Sequence, residues 1–265
     1  MESLVYTRLI KDQSIFTNEN GMIVAIYVDD ILMCAPTKEL ITEFKTELDK
    51  RFRMKHLGDV SWYLGMQIIR DRPNRTIYIN QAAYAKRVIA QANMETCYPV
   101  ASPMEKGNDL TRAPDNYIAD RTEAEVYRLL VGALQCLATM TRPDLAFAVG
   151  KSGRYSINPT SEHLNSVKRI IKYLAETTDV GLRYGPGDVT KDVIPEGNLL
   201  GWTDSSWSDD KDTSHATSGY VFQLWNGPIS WSSKLQFLCT DSTAEAEYVA
   251  QCNPATESLF LSQLD

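Results

Sequence analysis

The stretch Tyr27-Val28-Asp29-Asp30 constrains the fold of this chain more than any other. An apolar run over 22–28 leads into the two acids, and a second run, Ile31–Cys34, leads away. Apolar runs of this length, rich in β-branched residues, are typical of buried strands. Two acids between such strands are most easily placed at the turn of a β-hairpin, where neighbouring side chains can converge. The sequence therefore predicts a hairpin whose turn contains both acids.

Two ionised carboxylates at one turn repel each other unless a cation lies between them. Oxygen ligands of this kind suit Mg²⁺ or Mn²⁺. The competing interpretation is a solvated surface turn, because Asp is common in turns. The usual two-residue hairpin turns prefer Gly or Asn, and neither occurs here, which favours a functional pair modestly.

Bulk properties exclude several classes of protein. The chain has 265 residues, 43% hydrophobic and 23% charged, and a net charge of −7, which argues against a strong free-standing nucleic-acid binder. Its five cysteines are scattered and lack metal or disulfide spacing. With no signal pattern and no apolar run near the roughly 20 residues that span a bilayer, we expect an intracellular protein without a membrane contact.

Along the chain, the pattern predicts an α+β fold in four parts. Residues 1–80 read as strand, strand, helix, strand, strand, with an antiparallel sheet, and residues 81–116 as a helix and a linker. Residues 117–197 read as apolar helices and a further linker, and residues 198–265 as three strands and a helix. Smaller predictions concern single elements. Thr37 is predicted to cap a helix whose apolar stripe is Leu40, Phe44, Leu48 and Phe52, and residues 60–69 are predicted to form one strand. Thr122–Glu125 are predicted to form a capping box, 185–197 a linker, and Asn226-Gly227 a hairpin turn.

A second pair of carboxylates is predicted near the C-terminus. Asp204 ends a predicted strand, and Glu247 lies in the first turn of the following helix. A strand-end Asp that faces a helix Glu is one way to begin a divalent-metal site for phosphodiester hydrolysis. Glu245 points away from Glu247 on the helix, so only one of them can serve the site. The acids Asp209, Asp210 and Asp212 are predicted to be solvated, and His56, His163 and His215 to be bystanders.

Several blocks of sequence resemble one family. They are Tyr27–Asp30; Leu57–Asp59 with Tyr63–Met66; Gln81–Tyr84 with Pro103-Met104; Tyr127–Gly132 with Thr141–Asp144; and Trp202–Asp204, Thr217–Tyr220, Ile229–Lys234 and Glu245–Tyr248. Their order resembles that of the reverse transcriptase and ribonuclease H of copia-like long-terminal-repeat retrotransposon Pol polyproteins. The resemblance implies a partial palm (1–80), a thumb remnant and linker (81–116), a helical connection (117–197) and a truncated ribonuclease H-like sheet with one helix (198–265).

The resemblance also implies chemistry. The family copies RNA into DNA and cleaves RNA in RNA–DNA hybrids, each by two-metal catalysis with Mg²⁺ or Mn²⁺. It implies that Asp29, Asp30, Asp204 and Glu247 are catalytic, metal-binding carboxylates, and that Tyr27, Gly65 and Met66 lie on the nucleotide and primer side. The implied partners are an RNA template, an RNA–DNA hybrid and other Pol segments, in the cytoplasm (a virus-like particle) or the nucleus.

Departures from the family pattern limit this interpretation. Each family site needs at least one further Asp, and we expect none of them within this chain. We therefore expect a Pol fragment that is inactive alone. The alternatives are a non-catalytic module that binds nucleic acid or other Pol segments, and the product of a decayed element with no selected role.

Overall fold

The computed structural model describes residues 6–107, 109–186 and 198–263, and it mixes α-helices with β-sheets. The chain divides into two compact units. The first unit comprises Met1–Val60 and Thr256–Asp265, and the second comprises Ser61–Ala255. The later of the two limits falls within helix α7 (Cys252–Leu261).

The first unit contains an antiparallel sheet and a helix. Its strands follow one another in chain order: β1 (Thr7–Arg8), β2 (Ile15–Thr17), β3 (Ile23–Tyr27) and β4 (Asp30–Cys34). Helix α1 (Lys38–Asp49) supplies buried Phe44 and Leu48 to a core shared with residues of the strand region: Tyr6, Phe16, Met22 and Val24. This core determines which face of β3 is buried, because a shift of one residue would turn Val24 outward.

The predicted helical stripe is confirmed at Phe44 and Leu48 and is wrong at Phe52. Helix α1 ends at Asp49, so Phe52 no longer follows the helical period and is 61% exposed. Thr37 is the N-cap residue, as predicted, but its side chain makes no capping hydrogen bond.

The second unit begins with another antiparallel sheet, formed by β5 (Trp62–Tyr63), β6 (Met66–Asp71), β7 (Thr76–Asn80) and β8 (Leu182–Tyr184) in that order. The prediction of one strand over 60–69 is wrong. Leu64 and Gly65 have φ values of 49° and 80°, and they form a two-residue turn between β5 and β6. Strand β7 pairs with β8, and β5–β8 form a sheet separate from β1–β4, so residues 1–80 do not form a single sheet.

Helices form the main core of the second unit. They are α2 (Ala82–Gln91), α3 (Arg121–Met140), α4 (Ala146–Gly153), which follows a 3₁₀ turn at Pro143–Leu145, and α5 (Ser161–Glu176). Their apolar faces share one cluster, whose fully buried members include Val88, Tyr127, Leu134, Ile170 and Leu174. Residues on both sides of the linker predicted within 81–116 therefore contribute to the same core. Pro143 opens a 3₁₀ turn, because its missing N–H is not needed there.

The caps of these helices differ in part from the prediction. Asp120, not Thr122, is the N-cap residue of α3, and its carboxylate accepts hydrogen bonds from the backbone N–H groups of Thr122 and Glu123. The predicted capping box at Thr122–Glu125 is thus wrong, because an acid just upstream takes the cap position.

A three-stranded antiparallel sheet follows, in the order β11 (Gly227–Leu235), β10 (Thr217–Leu224) and β9 (Leu200–Ser206). Its hairpin loop is Trp225-Asn226, both with positive φ, one residue earlier than predicted. Ser242 caps α6 (Thr243–Ala250), and α7 follows where no second helix was predicted. Most of the predicted 185–197 linker lies outside the described residues.

Candidate functional site

The Asp29–Asp30 hairpin is the predicted site with the most unusual backbone. Tyr27 and Asp30 form the pair that closes the hairpin, and Val28 and Asp29 form its two-residue loop. Val28 has a φ of 57°, whereas Asp29 does not have a positive φ, which is the sign pattern of a type II′ turn. The prediction that both acids occupy the turn is therefore wrong: Asp29 is in the turn, and Asp30 is the first residue of β4.

Val28 makes this turn costly. A β-branched residue at positive φ is a conformational outlier, and a position of this kind costs on the order of 1–3 kcal/mol. Type II′ turns normally have Gly at this position. Val28 is also 87% exposed, so its side chain offsets little of that cost through burial. The buried residues of β3 and the register of β3 with β4 must therefore impose the turn.

Both carboxylates of the hairpin face solvent. Asp29 and Asp30 are exposed, and among the described residues neither side chain accepts a hydrogen bond or an ion pair. Within the same described part of the chain, no group of three or more His, Cys, Asp or Glu side chains is placed to hold a metal ion. Two adjacent acids do not amount to a two-metal centre, and we assign no metal-dependent step to these residues alone.

The residues predicted for the nucleotide and primer side fall in different units. Tyr27 is 57% exposed and lies on the same side of the first hairpin as its pairing partner Asp30. Gly65 is in the β5–β6 turn, and Met66 is the first residue of β6 and is half-buried. These positions leave the predicted roles untested.

Asp204 lies in β9 and Glu247 lies in α6, and these two elements pack together. Thr203 donates a hydrogen bond from Oγ1 to the Ala250 carbonyl of α6 over 3.2 Å, so the Thr203 side of β9 faces that helix. Because successive side chains of a strand point to opposite faces, Asp204 is directed to the other face. Asp204 also lies within β9, whereas the sequence predicted it at the end of a strand. The elements meet, but the two side chains do not share a face.

The structure separates the roles of the two helix acids. Ser242 Oγ accepts the backbone N–H of Glu245, and the Glu245 carboxylate accepts the backbone N–H of Asp241 over 2.9 Å. Glu245 is thereby used at the N-terminus of α6, where a negative charge also suits the helix dipole. Glu247 is exposed and has no such local partner among the described residues.

The acids Asp209 and Asp210 form a buried charge cluster that the sequence did not predict. Lys151 Nζ lies 3.5 Å from a carboxylate oxygen of Asp209, and Arg154 Nη1 lies 3.8 Å from one of Asp210. Asp210 is only 4% exposed, so the prediction that it is solvated is wrong. A signal existed: Lys151 and Arg154 are three residues apart and therefore lie on one side of the helical turn. Their acidic partners, however, are distant in the sequence.

A second buried cation lies at the start of the 3₁₀ turn. Arg142 is 1% exposed, and its guanidinium donates to Asp144 and to the Thr177 carbonyl, both over 2.7 Å. The preceding Thr141 donates from Oγ1 to Gln81 Oε1 over 2.9 Å. The Thr141–Asp144 block therefore joins the beginning of α2 to the end of α5, which is a structural role.

His163 is also structural. Its Nδ1 accepts the backbone N–H of Thr160 over 2.9 Å, which completes a capping box, and its Nε2 donates to the Thr111 carbonyl. Its ring stacks on Tyr155 with centroids 4.1 Å apart. Burial lowers the pKa of His163 and raises the pKa of Tyr155 to about 12, so both rings stay neutral near pH 7.

Within the described segments, every helix is too short or too polar to cross a lipid bilayer.

Comparison with known proteins identifies the family. Residues 4–106 match the family model described as reverse transcriptase (RNA-dependent DNA polymerase). The chain is 36% identical over 270 residues to the retrovirus-related Pol polyprotein from transposon TNT 1-94 of Nicotiana tabacum, which covers 99% of this chain and 20% of that protein. It is 34% identical to the Pol polyprotein from transposon RE2 of Arabidopsis thaliana, over 98% of this chain and 17% of that protein.

A shorter relative is an uncharacterized mitochondrial protein of Arabidopsis thaliana, 30% identical over 91% of this chain and 95% of that protein. No solved structure matches the chain. The chain spans about a fifth of the length of the Pol polyproteins that it matches. It belongs to the reverse transcriptase family of copia-like, retrovirus-related Pol polyproteins.

Proposed function

We propose that this chain carries the acidic hairpin of an RNA-directed DNA polymerase and acts as part of a larger Pol assembly. The observation that carries the proposal is the hairpin itself: an exposed Asp29 in a turn that holds Val28 at positive φ. Unfavourable backbone conformations persist where the surrounding structure imposes them, and they cluster at functional sites. Family membership supplies the reaction, the extension of a DNA primer on an RNA template.

In this proposal each residue has a limited task. Asp29 and Asp30 present negative charge at the tip of β3–β4, and Tyr27 offers an exposed aromatic ring beside Asp30. Gly65, in the β5–β6 turn, and Met66, the first residue of β6, would contact the primer. In the family, divalent metal ions neutralise charge as the nucleotide is transferred. The described residues contain no group of three or more His, Cys, Asp or Glu side chains that could hold a metal ion, and in this proposal further ligands come from other Pol residues.

The proposal predicts that the chain alone does not extend a primer on RNA with Mg²⁺ or Mn²⁺. Mixing it with the Pol segment that precedes the matched region in the tobacco relative is expected to restore extension. Asp29→Asn should abolish the restored activity, whereas Glu43→Gln, at another exposed acid of the first unit, should leave it unchanged. Extension by the isolated chain, or full activity of the Asp29→Asn mixture, would contradict the proposal.

A second proposed role concerns residues 198–263, as part of a ribonuclease H-like domain that cleaves the RNA of an RNA–DNA hybrid. Two observations support it: α6 packs on β9, and Glu245 is engaged at the helix cap, which leaves Glu247 as the available helix acid. Asp204 faces away from α6, so we expect no hybrid cleavage by this chain without further Pol residues. Release of labelled RNA fragments by the purified chain alone would refute this expectation.

A further inference from the structure

The β6–β7 hairpin of the second unit has a strongly basic tip. Its loop is Arg72-Pro73-Asn74-Arg75, closed by a hydrogen bond from the Arg75 N–H to the Arg72 carbonyl over 3.1 Å. Asn74 donates to the Asp71 carboxylate from both its backbone N–H and its side-chain amide. These hydrogen bonds lower the pKa of Asp71, so this acid stays ionised and is engaged within the turn.

Three arginines lie at the tip of the hairpin. Arg70 pairs with Ile77, and Asp71 pairs with Thr76. Arg72 and Arg75 lie in the loop, where strand alternation does not apply, and Arg75 has a φ of 52°. Arg70, Arg72 and Arg75 are all exposed, and we call this set the arginine face.

A concavity accompanies the arginine face. It has a volume of about 360 Å³ and is lined by Arg70, Asp71, Arg72, Arg75, Thr76 and Ile77. Three arginines and one acid, Asp71, thus line an open space in a chain whose net charge is −7. This local excess of positive charge is opposite in sign to the whole molecule, so it cannot be attributed to overall composition.

The tip of the hairpin is held by the end of β8. A Cβ atom on Gly185 would lie 2.9 Å from the Arg75 carbonyl oxygen, so only glycine permits this approach of the two backbones. Gly185 in turn donates its N–H to the Trp225 carbonyl of the β10–β11 loop over 2.9 Å. The backbone that bears Arg75 is therefore supported from two sides, which reduces the ordering cost of binding a ligand.

We propose that the arginine face binds consecutive phosphate groups of a nucleic-acid strand. Guanidinium groups match phosphate oxygens in paired, charge-assisted hydrogen bonds, and spaced arginines on a β-hairpin suit a repeating anion. The choice of an RNA–DNA hybrid as the strand rests on the proposed polymerase function. The contact with phosphate does not depend on Asp29 or on metal ions, so the two proposals can fail separately.

The test is fluorescence anisotropy of a labelled RNA–DNA hybrid with the full chain, in EDTA, over a series of salt concentrations. The variant Arg70→Gln/Arg72→Gln/Arg75→Gln should bind more weakly. The slope of log K against log salt should fall in magnitude by about 2 to 3, because each phosphate contact to a duplex contributes roughly 0.9. The matched control is Lys38→Gln/Lys50→Gln/Arg121→Gln, which removes three exposed cations elsewhere and should keep the wild-type slope.

Four results would overturn the proposal: no binding by the wild-type chain, an unchanged slope in the arginine variant, an equal loss in the control, or displacement of the hybrid by tripolyphosphate at the same phosphate concentration. The last would assign the face to a free polyphosphate instead of a strand. If circular dichroism shows that the triple variant is unfolded, the double variant Arg72→Gln/Arg75→Gln, confined to the loop, is measured and should lower the slope by about 2.

Discussion

Two Asp-Asp dipeptides of this chain have opposite environments. Asp29 and Asp30, at the tip of the β3–β4 hairpin, are exposed and have no ion-pair partner among the described residues. Asp209 and Asp210, between β9 and β10, lie against Lys151 and Arg154 of the helical core, and Asp210 is 4% exposed. The same dipeptide therefore lies at a solvated, strained hairpin tip in one unit and in a structural charge cluster in the other.

The difference shows what each pair can do. Buried acids beside cations are committed to their partners, because removing either partner leaves an uncompensated charge. Exposed acids on an imposed turn remain available to a ligand. We therefore assign stability to the second dipeptide and propose function for the first. The following predictions test this division, from the largest effect to the smallest.

Asp210→Asn is expected to lower the free energy of unfolding of the second unit by about 3 kcal/mol, because it removes the carboxylate charge that lies 3.8 Å from the largely buried Arg154 guanidinium. All five tryptophans lie in this unit, so denaturant unfolding followed by their fluorescence reports on it. Asp29→Asn is the matched substitution and should change stability, followed by circular dichroism, by less than about 0.5 kcal/mol. Equal losses of unfolding free energy in the two variants would contradict the assignment of a structural role to Asp210 alone.

His163 is expected to make the stability of the second unit depend on pH. Burial lowers its pKa below the ordinary value of 6.5, so the unfolded chain takes up a proton at higher pH than the folded chain. Its contribution to stability is full above about pH 6.5 and is lost as the pH falls toward the folded pKa, by at most about 1.4 kcal/mol per pH unit. His163→Gln retains a residue type suited to the capping box and does not titrate. Unfolding measured from about pH 7.5 to about pH 5 should therefore be less acid-sensitive in the variant; parallel curves would argue against a buried, neutral His163.

Val28→Gly tests whether the turn beside Asp29 and Asp30 is conformationally strained. Glycine removes the steric cost of a positive φ, which is on the order of 1–2 kcal/mol, but loses more backbone entropy on folding, about 0.5–1 kcal/mol. We expect a net stabilisation of about 0.5 kcal/mol in thermal unfolding followed by circular dichroism. Repacking of the core is not involved, because Val28 is 87% exposed. Destabilisation by more than about 1 kcal/mol would show that the valine side chain supports the turn.

Local patterns in the sequence predicted most elements of the fold. The β3–β4 hairpin, α1, α2, the β6–β7 hairpin and the Ser242 cap all follow from signals that act over a few residues: apolar period, turn residues and capping side chains. The errors also have local causes. Asp120 precedes the predicted capping box and takes the N-cap position. Leu64 has a positive φ, which is uncommon for residues other than glycine and which the sequence does not predict at a leucine.

The candidate site divides in the same way. The sequence alone determined the family, the acidic hairpin and the positions of Asp29, Asp30, Asp204 and Glu247, because these are properties of short motifs and their order. Three outcomes depend on the tertiary structure: which acids are buried, that Asp204 faces away from α6, and that β7 pairs with the distant strand β8. Those outcomes depend on contacts between distant segments, where burial and the satisfaction of charge outweigh any local preference.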